Sequence, residues 1–296
     1  MEHKLIDGKA IAEAIKKEIA TETAALIDAG KRAPHLAAVL VGNDPASETY
    51  VASKEKACRQ VGITSSTYRL PEKTSEKELL DIIHFLNHDE EVDGFIVQLP
   101  LPAHLNADRI IEHIAPQKDV DGFHPMNTGR MMAGLPAYLP ATPYGIVELL
   151  HRSGIVAAGK HVVVIGRSNI VGTPISVLLS RKSPKGNATV TLCHSQTVNL
   201  PEISRQADIL IAAIGVPAFV TADMVKPGAV VIDVGIHRIT DEQAEKGYVI
   251  KGDVDFDGVV KVASRITPVP GGVGPLTIVS LLSNTLSAYK KAYYGS

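Results

Sequence analysis

The sequence predicts an α/β fold built as two lobes. Three observations predict it. Short apolar runs alternate with helical segments along most of the chain, a stretch rich in Gly, Pro, Met and Asn interrupts that rhythm, and a second alternating series opens with a glycine-bearing strand-to-helix turn. The 296 residues are 45% hydrophobic, enough for two ordinary cores.

In the first series, Leu36–Val41 is an apolar run closed by Gly42-Asn43-Asp44-Pro45, a buried strand followed by a turn. A helix from about Ala46 to Val61 follows, ended by Gly62. Thr64–Leu70 alternates as a strand, Ser75–Asn87 is helical, and Gly94–Gln98 is a further apolar strand. Such alternation implies parallel strands with helical crossovers. Lys118–Thr142 loses all periodicity and reads as functional loops and an interdomain passage. The second series runs helix Tyr144–Ser153, strand His161–Ile165, helix Val171–Arg181, strand Ala188–Leu192, helix Leu200–Ala207, then strands Ile209–Ala213 and Ala229–Val234. A loop, Thr267–Pro275, leads into a closing helix, Leu276–Tyr293.

Composition excludes several classes. Thirty basic and 32 acidic residues give a net charge of -2 without a basic stripe, so no nucleic-acid partner is expected. The N-terminal MEHKLIDGKAIAEAIKKEIA is too charged for a secretory signal, and no apolar run reaches the roughly eighteen residues of a membrane span. Cys58 and Cys193, far apart in regular structure, suggest no structural disulfide and a reducing, cytoplasmic setting.

Gly166 and Gly172 sit where strand HVVVIG meets the next helix, a place where backbone N–H groups and the helix dipole hold phosphate. Their G-x5-G spacing is equally that of a tight βα turn. Arg167 and Ser168 lie inside the turn and can reach phosphate oxygens. The next strand ends in His194-Ser195-Gln196-Thr197, without the carboxylate that would hold the ribose 2′-hydroxyl of NAD; with an arginine nearby, this favours NADP.

Tyr50 and Lys54 are four apart on one helix face, so the lysine is either a desolvated proton-transfer group or an ordinary exposed lysine. Gln98, at a strand's carboxyl end, is a ligand-binding or a strand-capping residue. Asp119 and Asp121 lack the further ligands a metal needs, and His84 and His88 lack the glutamate of a zinc helix, so no metal is expected. In PVPGGVGP, the glycines allow close approach to a ligand, or the whole is a stiff linker.

Taken together, YVASKEKAC, GFIVQLPLP, KDVDGFHPMNTGR, GRSNIVGTP, TVTLCHSQT, KPGAVVIDVGI and TPVPGGVGPLT closely resemble the bifunctional methylenetetrahydrofolate dehydrogenase/methenyltetrahydrofolate cyclohydrolase (FolD) family over nearly the whole chain. The resemblance implies two α/β lobes around a cleft: a folate-binding lobe, 1–141, completed by 267–296, and a Rossmann-type NADP lobe, 142–266. It also implies a homodimer acting on a folate substrate. Tyr50 matches the family's pterin-stacking tyrosine, Lys54 its catalytic lysine, Gln98 the glutamine supporting that lysine and Asp121 the pterin-anchoring aspartate. Pro270, Gly271 and Gly272 fall at substrate-binding positions; Gly166, Arg167, Ser168, Ser195 and Ile236 fall at NADP-contacting ones. Arg181–Asn187 departs from the family pattern in length, adding Lys182 and Lys185 close to the expected cofactor edge. A dehydrogenase without hydrolase activity, and a non-catalytic NADP-binding module, are the competing readings.

Overall fold

The computed structural model describes residues 4–241, 243–244 and 247–294; the first three residues of the charged N-terminal stretch lie outside them. The chain divides into two compact units. One joins Glu13–Ala141 to the stretch from Ile278 onward, and the other joins the residues up to Ala12 to Thr142–Thr277. Two helices, α1 (Gly8–Asp28) and α10 (Val273–Tyr289), run from one unit into the other.

The Glu13–Ala141 unit is built on strands β1 (His35–Val41), β2 (Thr64–Leu70) and β3 (Gly94–Val97), hydrogen-bonded in the order β2-β1-β3 and all parallel. Parallel neighbours need crossovers, and helices α2 (Pro45–Val61) and α3 (Glu76–His88) supply them. Local chemistry fixes α2 at both ends. Asp44 accepts the Ser47 N–H at 2.8 Å, Pro45 enters the first turn, and Gly62 closes the helix at φ 74°. Ser75 and Glu78 form a capping box at the start of α3. Leu79, Ile83 and Leu86 of α3 pack with Ala37, Val39, Phe95 and Val97 in this unit's core.

Three helices here, α1, the short α4 (Ala107–Glu112) and α5 (Pro125–Ala133), are absent from the sequence reading. The buried face of α1 carries Ile15, Ile19 and Thr23 at helical spacing, a stripe masked by the lysines and glutamates between them. Inside the supposed loop Lys118–Thr142 lies α5, following α4. Its start was marked by a proline in the first turn and its end by Gly134 at φ 77°, but glycine and methionine between them hide the periodicity.

The other unit contains a five-stranded sheet. After α6 (Ala141–Arg152) come β4 (His161–Ile165), α7 (Gly172–Ser180), β5 (Thr189–Cys193), α8 (Leu200–Ser204), β6 (Ile209–Ala212) and β7 (Val230–Asp233). A hairpin of β8 (His237–Thr240) and β9 (Tyr248–Lys251), then α9 (Phe256–Val262) and β10 (Arg265–Ile266), complete it. The parallel order is β10-β7-β6-β4-β5, so the winding direction reverses between β4 and β6. An open parallel sheet binds its ligand beyond the carboxyl ends of the strands at such a reversal. The hairpin, α9 and β10 escape the sequence reading because they are short and, in β8 and β9, half-exposed. Helix α10 begins at Val273, so Gly274 and Pro275 belong to its first turn and not to the preceding loop.

Candidate active site

In the Glu13–Ala141 unit, α2 and the end of β3 bring together the lysine and glutamine singled out in the sequence. Val51, Lys54, Ala57, Cys58 and Val61 form the buried face of α2, and Lys54 is only 8% exposed, which rules out the ordinary surface lysine. Its Nζ donates to Gln98 Oε1 at 3.0 Å. Gln98 follows β3 directly, its N–H bonded to Val39 O, and its Nε2 donates to Leu99 O at 2.6 Å. That second bond orients the amide, leaving only the oxygen to face the lysine. Burial lowers the Lys54 pKa, against the pull of the Asp121 charge. Tyr50, one turn earlier and half-buried, has its phenol raised by burial and stays protonated.

Asp121 lies on the loop after α4. Burial pushes its carboxyl up to about 6, with Lys54 pulling it down and Asp119 pushing it up. Amine and carboxyl are therefore both displaced toward their neutral forms. The loop itself is held by contacts the sequence reading did not foresee. Asp119, 1% exposed, accepts N–H bonds from Gly122 and His124 and from the Asn127 side chain on α5. Asn284 on α10 donates to Val120 O at 2.8 Å and Leu139 O at 2.9 Å. The signal for Asn284 was a lone amide inside the apolar run of a closing helix, where burial obliges it to find partners. The Asp119 carboxylate is thus taken up by its own loop and α5. Elsewhere in the unit, His84 and His88 are exposed, with rings 4.3 Å apart.

In the other unit, the turn after β4 lies at the reversal of the sheet. Gly166 has φ 115°, and a Cβ there would sit 2.0 Å from Ala213 O, at the end of β6. A Cβ on Gly172 would sit 1.8 Å from Gly166 O. Strand, turn and helix are thus closer than any side chain permits, which brings bare backbone to the carboxyl edge. Ser168 Oγ accepts from Val171 N at 3.1 Å and stays exposed, as does Arg167. Ser195 lies exposed past the end of β5, and Ile236 past β7 is 45% exposed. This glycine cradle with an exposed guanidinium and hydroxyl fits a dinucleotide's phosphates. Pro270, Gly271 and Gly272 also fall in this unit: Gly271 has φ 107° and its carbonyl accepts the Lys9 N–H.

The tetrahydrofolate dehydrogenase/cyclohydrolase catalytic domain matches residues 6–121, and the NAD(P)-binding domain of the same family matches 140–293. The chain belongs to the tetrahydrofolate dehydrogenase/cyclohydrolase family. A relative from Porphyromonas gingivalis, named bifunctional protein FolD, is 58% identical, covering 98% of both chains. The structure of bifunctional FolD from Campylobacter jejuni superposes with a TM-score of 0.90 at 48% identity, covering 97% of this chain and 99% of that one. That of the Trypanosoma brucei dehydrogenase-cyclohydrolase, solved with NADP and an inhibitor, gives 0.92 at 38% identity, covering 98% of each. Like these FolD proteins, the chain is an enzyme of tetrahydrofolate one-carbon interconversion with dehydrogenase and cyclohydrolase activities.

Membership of the FolD family leaves one sequence expectation to correct. Arg181–Asn187 does not approach the cofactor edge. Crossover helix α7 returns the chain to the amino ends of the strands, where Gly159 N donates to Asn187 O and Thr189 N to Lys160 O. There Lys185 pairs with Glu148 of α6, which Arg152 also engages. Both cysteines are free and buried, and burial pushes the Cys58 thiol up to about 12. Among the described residues no helix is long and apolar enough to cross a membrane.

Proposed function

We propose that the buried amine of Lys54, held by Gln98, moves the proton when a methenyl carbon on tetrahydrofolate is hydrolysed, and that Asp121 anchors the pterin. The observation that carries this reading is the 3.0 Å bond from a nearly inaccessible Lys54 Nζ to an amide oxygen of fixed orientation. An amine whose pKa is lowered by desolvation is available as a base near neutral pH, where an exposed lysine is not. The Gln98 oxygen is neutral, so it fixes the amine without restoring the charge. A carboxyl raised to about 6 is ready to ionise against the amino group and ring N–H of a pterin, a charge-assisted contact. The half-buried Tyr50 ring offers a stacking face one helical turn from the amine.

The folate role belongs to residues 1–141 with 267–296, including Pro270, Gly271 and Gly272, and the nucleotide role to 142–266. Gly166, Arg167, Ser168, Ser195 and Ile236 hold NADP, in preference to NAD because β5 runs into His194-Ser195-Gln196-Thr197, with no carboxylate to hold a ribose 2′-hydroxyl. When bound, NADP accepts the hydride leaving the one-carbon bridge of 5,10-methylenetetrahydrofolate. A homodimer and a cytoplasmic setting complete the reading, the latter in keeping with two unpaired buried thiols.

The test is a pair of assays on the purified chain. Methylenetetrahydrofolate with NADP or NAD reports the first reaction, and methenyltetrahydrofolate without nucleotide reports the second. Both activities with a preference for NADP are expected; absence of methenyl hydrolysis would leave a dehydrogenase alone.

A further inference from the structure

Two buried carboxylates lie beneath the carboxyl edge of the five-stranded sheet, and neither belongs to the site residues above. Asp253 is 0% exposed. Its Oδ2 accepts the backbone N–H groups of Ile214, at 2.6 Å, and Gly215, at 3.0 Å, just past β6. Its Oδ1 lies 2.7 Å from Nε2 of His237, which opens β8. Asp233, at the end of β7, accepts from Gly235 N and Asp253 N on Oδ1 and from Val254 N on Oδ2. Packing around the pair is so close that a Cβ on Gly235 would meet Asp253 Oδ1 at 2.3 Å, and one on Gly252 would meet Asp233 Oδ2 at 1.8 Å.

The consequence is mechanical. Three segments that are separate in sequence, 213–216, 234–237 and 252–254, are tied to one another through carboxylate oxygens, in addition to the β6–β7 and β8–β9 pairing that flanks them. The first two are the ends of β6 and β7, on the opposite side of the sheet reversal from Ser195 and β5. In a doubly wound sheet the strand after the phosphate turn takes the adenosine end, so the strands across the reversal face the nicotinamide end. Ile236, exposed at 45%, stands between two clamped residues: Gly235, bonded to Asp233, and His237, paired with Asp253. Two carboxylates buried together are costly, and burial, with the Asp253 charge adding to it, pushes the Asp233 carboxyl up to about 6.

We infer that Asp253, through its pair with His237 and its bonds to the 214–215 amides, is a positioning residue for the nicotinamide half of the cofactor. It fixes the 213–216 loop and Ile236 in the arrangement that receives the nucleotide, and it has no part in methenyl hydrolysis. The inference rests on the reading of this edge as the NADP site.

The test uses the whole chain and two pairs of variants. Asp253→Ala removes every carboxylate bond, whereas Asp253→Asn keeps an oxygen for the 214–215 amides. His237→Leu removes the imidazole, whereas His237→Gln keeps a donor. NADP affinity is measured by isothermal titration calorimetry, alongside KM for NADP and nucleotide-free hydrolysis of methenyltetrahydrofolate. The inference expects Asp253→Ala to weaken NADP binding tenfold or more and His237→Leu about threefold or more. Asn and Gln should recover part of each loss, and hydrolysis should stay within twofold of the parent in every variant. If Asp253→Ala does not fold, the His237 pair decides. NADP affinities within twofold of the parent would overturn the inference, and so would losses of hydrolysis parallel to those of binding. An Arg167→Ala control separates the two levels. If it leaves NADP affinity unchanged, the cofactor reading itself fails; if it weakens NADP while the Asp253 and His237 variants do not, only the clamp fails.

Discussion

Replacing Asp121 with Asn should make the protein more stable and less active, by an amount that depends on pH. Burial raises the Asp121 carboxyl from 3.8 to about 6. The folded state therefore holds its proton more tightly than the unfolded state, and this carboxyl favours folding only while it is protonated. That contribution is complete below about pH 4 and is lost as pH rises through about 6. A rise of this size corresponds to about 3 kcal/mol at pH 8 and less than about 1 kcal/mol at pH 4. Asparagine keeps the shape and carries no charge, so it escapes this cost. It also deprives Lys54 of an attracting charge, but burial already favours the neutral amine, so a net gain of roughly 1–2 kcal/mol at pH 8 is expected. Urea unfolding followed by circular dichroism at pH 4.5, 6 and 8 measures it. The curves of parent and variant should separate between the first two values and stay apart at the third. Both enzymatic activities should fall through lost folate binding. Parallel pH dependences, or a variant less stable than the parent at pH 8, would refute the reasoning.

Gln98→Leu removes the one acceptor that Lys54 Nζ has among the described residues, so it should cost about 1–3 kcal/mol of stability and most of the hydrolysis rate, read by urea midpoint and methenyl assay. Gln98→Glu should instead hold Lys54 charged and move the rise of hydrolysis with pH to higher values in a pH–rate profile. Gly166→Ala places a Cβ 2.0 Å from Ala213 O at φ 115°, so calorimetry should show NADP binding at least tenfold weaker while nucleotide-free hydrolysis persists. Lys185→Ala should leave the NADP-to-NAD preference unchanged in side-by-side kinetics, because its partner is Glu148 at the amino edge of the sheet.

Most of this architecture was readable because its signals are local. Pro45 and Gly62 bound α2, Ser75 and Glu78 open α3, and the apolar runs of β1, β3, β4 and β6 admit no other buried reading. What escaped depends on distant partners. The stripe of α1 and the glycine- and methionine-rich α5 gain their definition from what they pack on, and β10 is only two residues long. The site shows the same division. Tyr50, Lys54 and Gln98 were visible as residue types at telling positions, yet nothing local in the sequence distinguishes a buried Lys54 from its exposed neighbours Ser53 and Lys56. That distinction comes from the fold. Asn284 and Asp253 act on loops more than a hundred and nearly forty residues away, respectively, so their roles were illegible. The misplacement of Arg181–Asn187 has the same origin, since only the path of α7 decides which edge of the sheet that stretch meets.

The most direct test is Lys54→Met, which keeps the buried stem and deletes the amine. Hydrolysis of methenyltetrahydrofolate should fall at least a hundredfold in the variant, with NADP affinity by calorimetry within twofold of the parent. Hydrolysis at the parent rate would contradict the assignment of the proton-moving role to this amine.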